Sequence, residues 1–259
     1  YGVSCYGEED GQIYLQVSGG VGLYSFEESN TGLTGDLEFI NNDLLLDDLA
    51  PGFYEIIIFD ENDCSRVTQI TITEPSEISY SSVLSDYSGY NISCYGGSNG
   101  FINVIAEGEF APFSYSWTGP NAFSSSESFI EDLSAGTYIL TIEDDNGCQL
   151  IEEITLDEPA EIEITPTTSV TQFNGFGISC NGANDGWINI SVTGGTDEYT
   201  YSWTGPNGFE SNNPSISNLS AGNYYIEVVD NNNYCVGYQS VLLPSPDILS
   251  VGITISDLN

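Results

Sequence analysis

The sequence predicts an all-β protein built as a tandem array of immunoglobulin-like (Greek-key) β-sandwich repeats. Three observations predict this class. One set of motifs occurs three times in the same order, apolar and polar residues alternate along the longest segments, and no segment has a helical period. The first cysteine of each copy recurs at intervals of 89 and 86 residues, at Cys5, Cys94 and Cys180. Such an interval is too long for a solenoid unit and fits a small sandwich.

The repeated motifs divide the chain into domains. S-C-Y-G at Ser4–Gly7 returns at Ser93–Gly96 and, as S-C-N-G, at Ser179–Gly182. Each copy continues with Y-S-F or Y-S-W, then L-x-x-G-x-Y, then an acidic turn that ends in a second cysteine. We therefore predict four segments: repeat 1 without its first strand (1–75), repeat 2 (76–159), repeat 3 (160–244) and the first strand of a following repeat (245–259).

Alternation locates the strands inside each copy. In the third copy it covers Gly186–Val192 and Tyr224–Asp230, which predicts half-buried strands there. The opening strand is expected at Glu77–Leu84 in the second copy and at Glu161–Thr167 in the third, after an E-P pair. The first copy has no such segment. Asp247–Ile255 has the pattern of an opening strand but no sandwich of its own, as in a segment cut from a longer array.

Aromatic residues narrow the fold class. The L-x-x-G-x-Y element before a long strand resembles a tyrosine corner, and the preceding aromatic position matches the one that immunoglobulin-like folds bury on strand C. We expect these residues to be structural: Tyr54, Tyr138, Tyr224, Trp117 and Trp203. By contrast, Trp187 and Phe101 begin a strand on the face opposite the predicted core. They are candidates for contact with a sugar, another surface or a neighbouring domain.

Composition excludes several classes of function. The chain has 39 acidic residues, one basic residue (Arg66) and no histidine, which gives a net charge of −38. Since phosphate binding requires Lys and Arg, nucleic acid and anionic lipid surfaces are excluded as partners. No apolar run is long enough for direct membrane insertion. Without histidine there is no Ser–His or Cys–His pair, and no recurrent cleft signals paired catalytic carboxylates, so we expect no enzyme and no catalytic residue.

Taken together, S-C-x-G, x-D/N-G-x-I, Y-S-W, L-x-x-G-x-Y, D-x-x-x-C and E-P resemble the SprB-type repeat of very large Bacteroidota surface proteins, which include a gliding-motility adhesin. The resemblance covers essentially Tyr1–Pro244. It implies export by the type IX secretion system, many tandem copies, and an extracellular filament attached to the outer membrane. The first copy departs from the pattern with Phe26 in place of Trp, and the third with Leu243-Pro244 in place of E-P.

Six cysteines at repeating positions indicate disulfides and an oxidising, extracellular setting. Pairing within each copy is the simplest scheme. However, the first cysteine precedes strand B and the second follows strand F, which places them at opposite ends of a sandwich, roughly 20 Å apart. Where sandwiches meet end to end, these ends come together. We therefore favour Cys5–Cys148 and Cys94–Cys235, which leaves Cys64 and Cys180 to partners outside the chain, and pairing within repeats stays open.

Acidic residues gather at the same predicted joints between repeats. Carboxylate and carbonyl oxygens are the ligands that Ca²⁺ prefers, although no strict calcium motif is present. The alternative is that these residues were selected for turn geometry. Candidate calcium ligands are Glu8, Glu9, Asp10, Asp144, Asp145 and Asp230, and we expect no other cofactor.

Three functions remain open on the sequence. The first is a non-enzymatic stalk segment of a long adhesin filament that gives reach, stiffness and attachment, with neighbouring repeats as its partners. The second is a module that itself binds extracellular glycans or abiotic surfaces. The third is an accessory array on a secreted polysaccharide-degrading enzyme. The outward position shared by Trp187, Phe101 and Gln12 differs in each copy, which favours the first function.

Overall fold

The computed structural model describes residues 2–36 and 43–254. This part of the chain consists of strands, turns and three short 3-10 turns, and its sheets are antiparallel, which confirms the predicted tandem immunoglobulin-like all-β class. Within the same ranges, no helix has the length and apolar character needed to cross a bilayer.

The chain divides into two compact units. Unit 1 contains residues 1–82, 104–128 and 139–154, and unit 2 contains residues 83–103, 129–138 and 155–259. Both units are discontinuous, and both take segments from the predicted second repeat. The boundaries at residues 75, 159 and 244 stay predictions.

The first repeat lies in unit 1 and forms two sheets. One pairs β1 with β4, and the other has the order β3-β2-β5-β6. The strands are β1 (Gly11–Gln16), β2 (Ser25–Glu28), β3 (Thr34–Asp36), β4 (Asp43–Leu49), β5 (Gly52–Phe59) and β6 (Ser65–Ile72). Alternate residues of β5 are buried because period-two alternation sends every second side chain inward. Ile13 and Leu46 from one sheet and Phe26 and Ile56 from the other share one apolar core.

The second repeat contributes one three-stranded and one four-stranded sheet. Their strand orders are β11-β8-β7 and β10-β9-β12-β13. The strands are β7 (Ser79–Leu84), β8 (Gly100–Glu107), β9 (Ser114–Gly119), β10 (Phe123–Ser125), β11 (Phe129–Leu133), β12 (Gly136–Glu143) and β13 (Gln149–Leu156).

The third repeat lies in unit 2 and has the same plan, with sheet orders β14-β15-β18 and β17-β16-β19-β20. Its core contains Ile188 and Ile216 from the first sheet and Trp203, Ile226 and Leu243 from the second, each at most 4% exposed. The strands are β14 (Glu163–Thr168), β15 (Gly186–Thr193), β16 (Tyr199–Gly205), β17 (Phe209–Ser211), β18 (Ser215–Leu219), β19 (Gly222–Asp230) and β20 (Val236–Leu243).

The opening strands agree with the sequence in two copies. β7 and β14 begin two residues later than expected. Residues 247–254 have no regular secondary structure and Ile255 lies outside the described residues, so the opening strand of a following repeat at Asp247–Ile255 stays a prediction. A single extended segment has no backbone partners of its own, so its pattern alone does not make it a strand.

A tight hairpin follows each opening strand. Tyr87 and Tyr90 exchange backbone hydrogen bonds, and Phe173 and Phe176 form the equivalent bridge. The two central residues of each turn have positive φ, which suits the Gly in second place of both turns (Ser88-Gly89 and Asn174-Gly175). The hairpin turns the chain towards the S-C-x-G loop, where the candidate functional site begins.

Candidate functional site

Two disulfides connect cysteines of different repeats. Cys5 is bonded to Cys148 with 5.5 Å between the Cα atoms, and Cys94 to Cys235 with 5.6 Å. These are the pairs that strand topology favoured over pairing within repeats. We call the regions around them the first joint (Ser4, Cys5, Asn146, Cys148; unit 1) and the second joint (Tyr87, Cys94, Asn233, Cys235; unit 2). Cys64 and Cys180 carry free, exposed thiols in the part of the chain that the structure describes.

One half of each joint is the S-C-x-G loop, which a single side chain closes. The backbone N–H of Ser4 donates to Asp10 at 2.8 Å, and that of Ser179 donates to Asp185 at 3.0 Å. In the second repeat Asn99 accepts the same bond from Ser93 at 3.1 Å. Hydrogen bonds from Ser4 hold the pKa of Asp10 below its ordinary value, and those from Ser179 do the same for Asp185.

A glutamate fastens this loop to the end of the last strand. Glu74 accepts a hydrogen bond from the N–H of Gly7 at 3.0 Å, and Glu158 accepts one from Gly96 at 2.7 Å. This is the role of the E-P pair that the sequence repeats. The third repeat lacks this glutamate, and there Asn181 Nδ2 of the S-C-N-G loop donates to Ser245 Oγ at 3.2 Å and to the carbonyl oxygen of Pro246 at 3.0 Å.

The other half of each joint is the acidic turn between the last two strands. Asp60 accepts from the N–H groups of Asn62 and Cys64 at 2.9 and 3.0 Å. Asp144 accepts the corresponding bonds from Asn146 and Cys148, both at 2.9 Å. The D-x-x-x-C motif is therefore a capped turn that presents its cysteine. The N–H of Cys64 is the main cause of the lowered pKa of Asp60.

The third turn is one residue longer, and its aspartate also binds the loop before β16, as Asp60 binds the loop before β2 by accepting from Val21 N–H at 3.1 Å. Asp230 is fully buried and accepts from Thr196 N–H at 2.7 Å, Thr196 Oγ1 at 2.6 Å and Asn232 N–H at 3.0 Å. The carboxylate thereby ties this turn to the loop before β16. These three hydrogen bonds satisfy both oxygens of the buried side chain.

Amide side chains add polar contacts at both joints. Asn146 Nδ2 donates to the carbonyl oxygen of Ser4 at 2.6 Å across the first joint. At the second joint Asn233 Nδ2 donates to the carbonyl oxygen of Tyr87 at 3.2 Å, and Ser88 Oγ donates to Asn233 Oδ1 at 3.3 Å. Each joint thus combines a covalent bond with directional hydrogen bonds.

Three of the six candidate calcium ligands accept hydrogen bonds within the protein. Asp10, Asp144 and Asp230 accept hydrogen bonds from their own loops, whereas Glu8, Glu9 and Asp145 are exposed. Over residues 2–36 and 43–254, no group of three or more acidic, His or Cys side chains is arranged to hold a metal ion. The hydrogen bonds assign Asp10, Asp144 and Asp230 a role in shaping loops.

The structure places the aromatic residues at recurring positions. The hydroxyl groups of Tyr54, Tyr138 and Tyr224 donate to the backbone carbonyl four residues earlier at 2.8–2.9 Å, which is tyrosine-corner geometry. Trp117 and Trp203 are 1% exposed, and their indole N–H groups donate to backbone carbonyls ten residues later. All five side chains combine apolar burial with a satisfied polar group.

Trp187 and Phe101 are half-buried and contact their own repeat. The indole N–H of Trp187 donates to Gln172 Oε1 at 3.2 Å, which covers the hairpin after β14. The ring of Phe101 packs on Phe129 of the adjacent strand, with 5.9 Å between centroids. These contacts leave only part of either ring available to a partner.

Three buried polar residues were not predicted from the sequence: Ser85, Ser169 and Glu28. Ser85 and Ser169 are at most 2% exposed. Their hydroxyl groups donate to the carbonyl oxygens of Asn91 and Gly177, and they accept from the N–H groups of the second residues of β8 and β15, Phe101 and Trp187. The signal was present, since each serine follows the proline of the preceding repeat by ten residues. Glu28 is 1% exposed; burial raises its pKa, but hydrogen bonds from Thr31 and Asn30 outweigh it, and the pKa lies below its ordinary value.

A cavity of about 360 Å³ lies beside each disulfide. Tyr6 and Glu77 line the first, and Tyr95 and Glu161 occupy equivalent places in the second. The cavity is present at both joints because the same parts of the repeat line it: the tyrosine of the S-C-Y-G loop and the segment that follows the E-P pair.

Comparison with known families finds one match in each predicted repeat. The SprB repeat matches residues 3–31, 90–122 and 178–208, and each match begins shortly before an S-C-x-G loop. A comparison with curated protein sequences finds no match.

Comparison with solved structures finds tandem-domain proteins of low sequence identity. The four N-terminal immunoglobulin domains of Dscam1 isoform 6.9 are 13% identical, with 86% of this chain and 66% of that chain covered and a TM-score of 0.26. A tetra-tandem repeat from the extending region of a large adhesion protein is 11% identical, with 92% and 67% covered and a TM-score of 0.26.

Proposed function

We propose that this chain, a tandem array of SprB-type repeats, is a non-enzymatic stalk segment of a long cell-surface adhesin filament that serves gliding motility. The observation that carries the proposal is the pair of disulfides between successive repeats. A bond within a repeat would stabilise one domain, whereas a bond between repeats restricts movement at the joint. Restricted joints are what a filament needs to project and transmit force.

Charge and redox chemistry support an extracellular filament. Disulfides persist in oxidising compartments, which fits export by the type IX secretion system and display outside the outer membrane. A net charge of −38 keeps neighbouring filaments apart and soluble. Neighbouring repeats of the same longer chain are the partners that these joints require.

The motility role is tested on living cells of the source organism. Beads coated with antibody against this segment are tracked by light microscopy, with beads against a static outer-membrane protein as the control. Directed travel of the first beads along the cell supports the proposal. Beads that bind and stay in place contradict the motility role and leave a static surface array.

Glycan binding is the second candidate, and the two cavities beside the disulfides favour it. Tyr6 and Tyr95 are more than half exposed, and exposed tyrosine rings can stack on sugars. The purified chain is applied to a glycan array and to glass, alongside the double variant Tyr6→Ala/Tyr95→Ala. Binding that the double variant loses supports a binding module. No binding by the parent chain supports the stalk.

A further inference from the structure

The two disulfides close covalent loops that overlap. One loop runs from Cys5 to Cys148 and the other from Cys94 to Cys235. Because Cys94 lies inside the first loop and Cys148 inside the second, residues 94–148 belong to both. Pairing within each repeat would instead give three separate loops joined by single stretches of chain. The overlap therefore decides how many segments connect one joint to the other.

Three segments of the chain connect the first joint to the second. Each joint unites two cysteines that are far apart in sequence, 143 residues at the first joint and 141 at the second. The chain passes from the first joint to the second over residues 5–94, returns over residues 94–148, and passes to the second joint again over residues 148–235. These connections are 89, 54 and 87 residues long. A load applied across the two joints therefore divides among three covalent paths.

The shortest connection limits how far the two joints can separate under load. Residues 94–148 span at most about 190 Å when fully extended, at roughly 3.5 Å per residue. Without the disulfides, the 230 residues from Cys5 to Cys235 would extend to about 800 Å. Even if every domain between them unfolds, the linked joints therefore separate about fourfold less than those of an unlinked chain.

We infer that the overlapping disulfides make this part of the chain a tether that tolerates backbone cleavage: the two joints stay covalently connected until all three segments between them have been cut. The inference rests on the proposed stalk for its purpose, since an extracellular filament is exposed to proteases. Each segment has exposed turns, where proteases cut most readily. Hydrolysis of one peptide bond consumes one water molecule, leaves a new carboxylate and a new amine, and breaks no sulfur–sulfur bond. The segments that remain intact continue to carry the load.

The composition supplies a single natural cleavage site for a first test. Arg66 is the one basic residue of the chain, and it lies exposed on β6 within segment 5–94. The wild-type chain, with its free thiols alkylated, is unfolded in urea and digested with trypsin, which cleaves after Lys or Arg. We expect the two fragments to stay together on non-reducing electrophoresis and to separate when reductant is added. Release of residues 1–66 without reductant, as pairing within repeats would give, would overturn the inference.

Arginines added to the other two segments extend the test to two and three cuts. Ser126→Arg and Asn212→Arg change equivalent exposed positions in the loops after β10 and β17, one in each remaining segment. Together with Arg66, either variant is cut twice and the double variant three times. We expect one covalently linked product after two cuts. After three cuts we expect two products, which are residues 1–66 joined to 127–212 and residues 67–126 joined to 213–259. Separation after two cuts, or a single product after three, would contradict the overlapping loops.

Force spectroscopy measures the extension limit on the full chain, held by peptide tags at its two ends. With both disulfides the unfolded path consists of residues 1–5, 94–148 and 235–259, which is 82 residues. The path is 117 residues in Cys5→Ser/Cys148→Ser and 258 in a variant without either disulfide. Loss of the first bond should therefore add about 120 Å to the contour length, and loss of the second about 490 Å more.

Equal increments for the two bonds would show separate loops and overturn the inference. Neither the digestion nor the force measurement depends on motility. Beads that stay in place on the cell would therefore contradict the proposed motility role and leave the overlapping tether unaffected.

Discussion

At the scale of single residues, carboxylates shape the loops of this chain. Asp10, Asp60 and Asp185 each accept backbone N–H groups close in sequence, and their pKa values lie below the ordinary value. The repeat tolerates an uncharged replacement, because Asn99 closes the loop of the second copy in the same way. The acceptor oxygen is therefore what the loop requires, and the negative charge strengthens the bond.

Removing one hydroxyl should move the pKa of Asp185. The hydrogen bond from the side chain of Ser179 is the largest cause of the lowered pKa of Asp185, and the backbone N–H of Ser179 is the second. Ser179→Ala removes only the first, so it should raise the pKa towards the ordinary value of 3.8, as followed by NMR titration of the carboxyl carbon. A carboxylate whose folded pKa is depressed contributes stability above its unfolded pKa, and that contribution is lost as pH falls through the folded value. An unchanged titration in Ser179→Ala would contradict this assignment.

The tyrosine corner predicts a hydroxyl-specific effect. Tyr224→Phe keeps the buried ring and removes the bond to the carbonyl of Ser220, so it should lower the free energy of unfolding by about 1–2 kcal/mol. Tyr225→Phe is the control, because this side chain is on the same strand and 57% exposed. Urea denaturation measures both variants, and equal effects would mean that the corner bond contributes nothing.

At the scale of elements, the glutamate of the E-P pair fastens a loop to the end of a strand. Glu158→Ala leaves the N–H of Gly96 without this acceptor and should destabilise unit 2 by about 1 kcal/mol. Glu163→Ala, at an exposed position of β14 in unit 2, removes the same charge as a control. Amide exchange at Gly96 locates the effect. Unchanged protection at Gly96 would argue against the fastening role.

Calcium should not change the thermal stability of the chain through its acidic turns. Asp144 and Asp230 already accept hydrogen bonds from the protein, so a metal ion would have to compete for the same oxygens. We expect the same thermal midpoint in EGTA and in millimolar Ca²⁺, with Mg²⁺ as the ionic-strength control. A midpoint raised by Ca²⁺ alone would instead favour the calcium interpretation of these loops.

At the scale of the whole molecule, the disulfides close very long loops. Cys94 and Cys235 are 141 residues apart, and the loop-entropy model gives about 5 kcal/mol for a loop of that length. The double variant Cys94→Ser/Cys235→Ser should therefore lose a large part of the stability of unit 2 in denaturant titrations. Cys64→Ser/Cys180→Ser makes the same chemical change without breaking a bond. Equal midpoints for the two double variants would contradict a stabilising joint.

Most of the fold could be predicted because the strands and corners of a β-sandwich have recognisable patterns in the local sequence. Period-two alternation located β15 and β19, and fixed spacing identified Tyr54, Tyr138 and Tyr224 as one structural position. Segment 247–254 has the same local signal but no regular secondary structure, and its assignment as the opening strand of a following repeat stays a prediction. Pairing depends on backbone groups far away in sequence, and alternation within one segment contains no information about them.

The sequence by itself determined the repeat, the fold class and the residues that form each core, since burial by alternation and turn formation depend on neighbours a few positions away. Only the tertiary structure decided which hydrogen bonds the acidic side chains accept and which polar groups are buried. Asp230 and Ser169 resemble surface residues in composition, yet both are buried because distant backbone groups supply their hydrogen bonds. Hydrogen bonds of this kind form across the fold, and no local pattern specifies them.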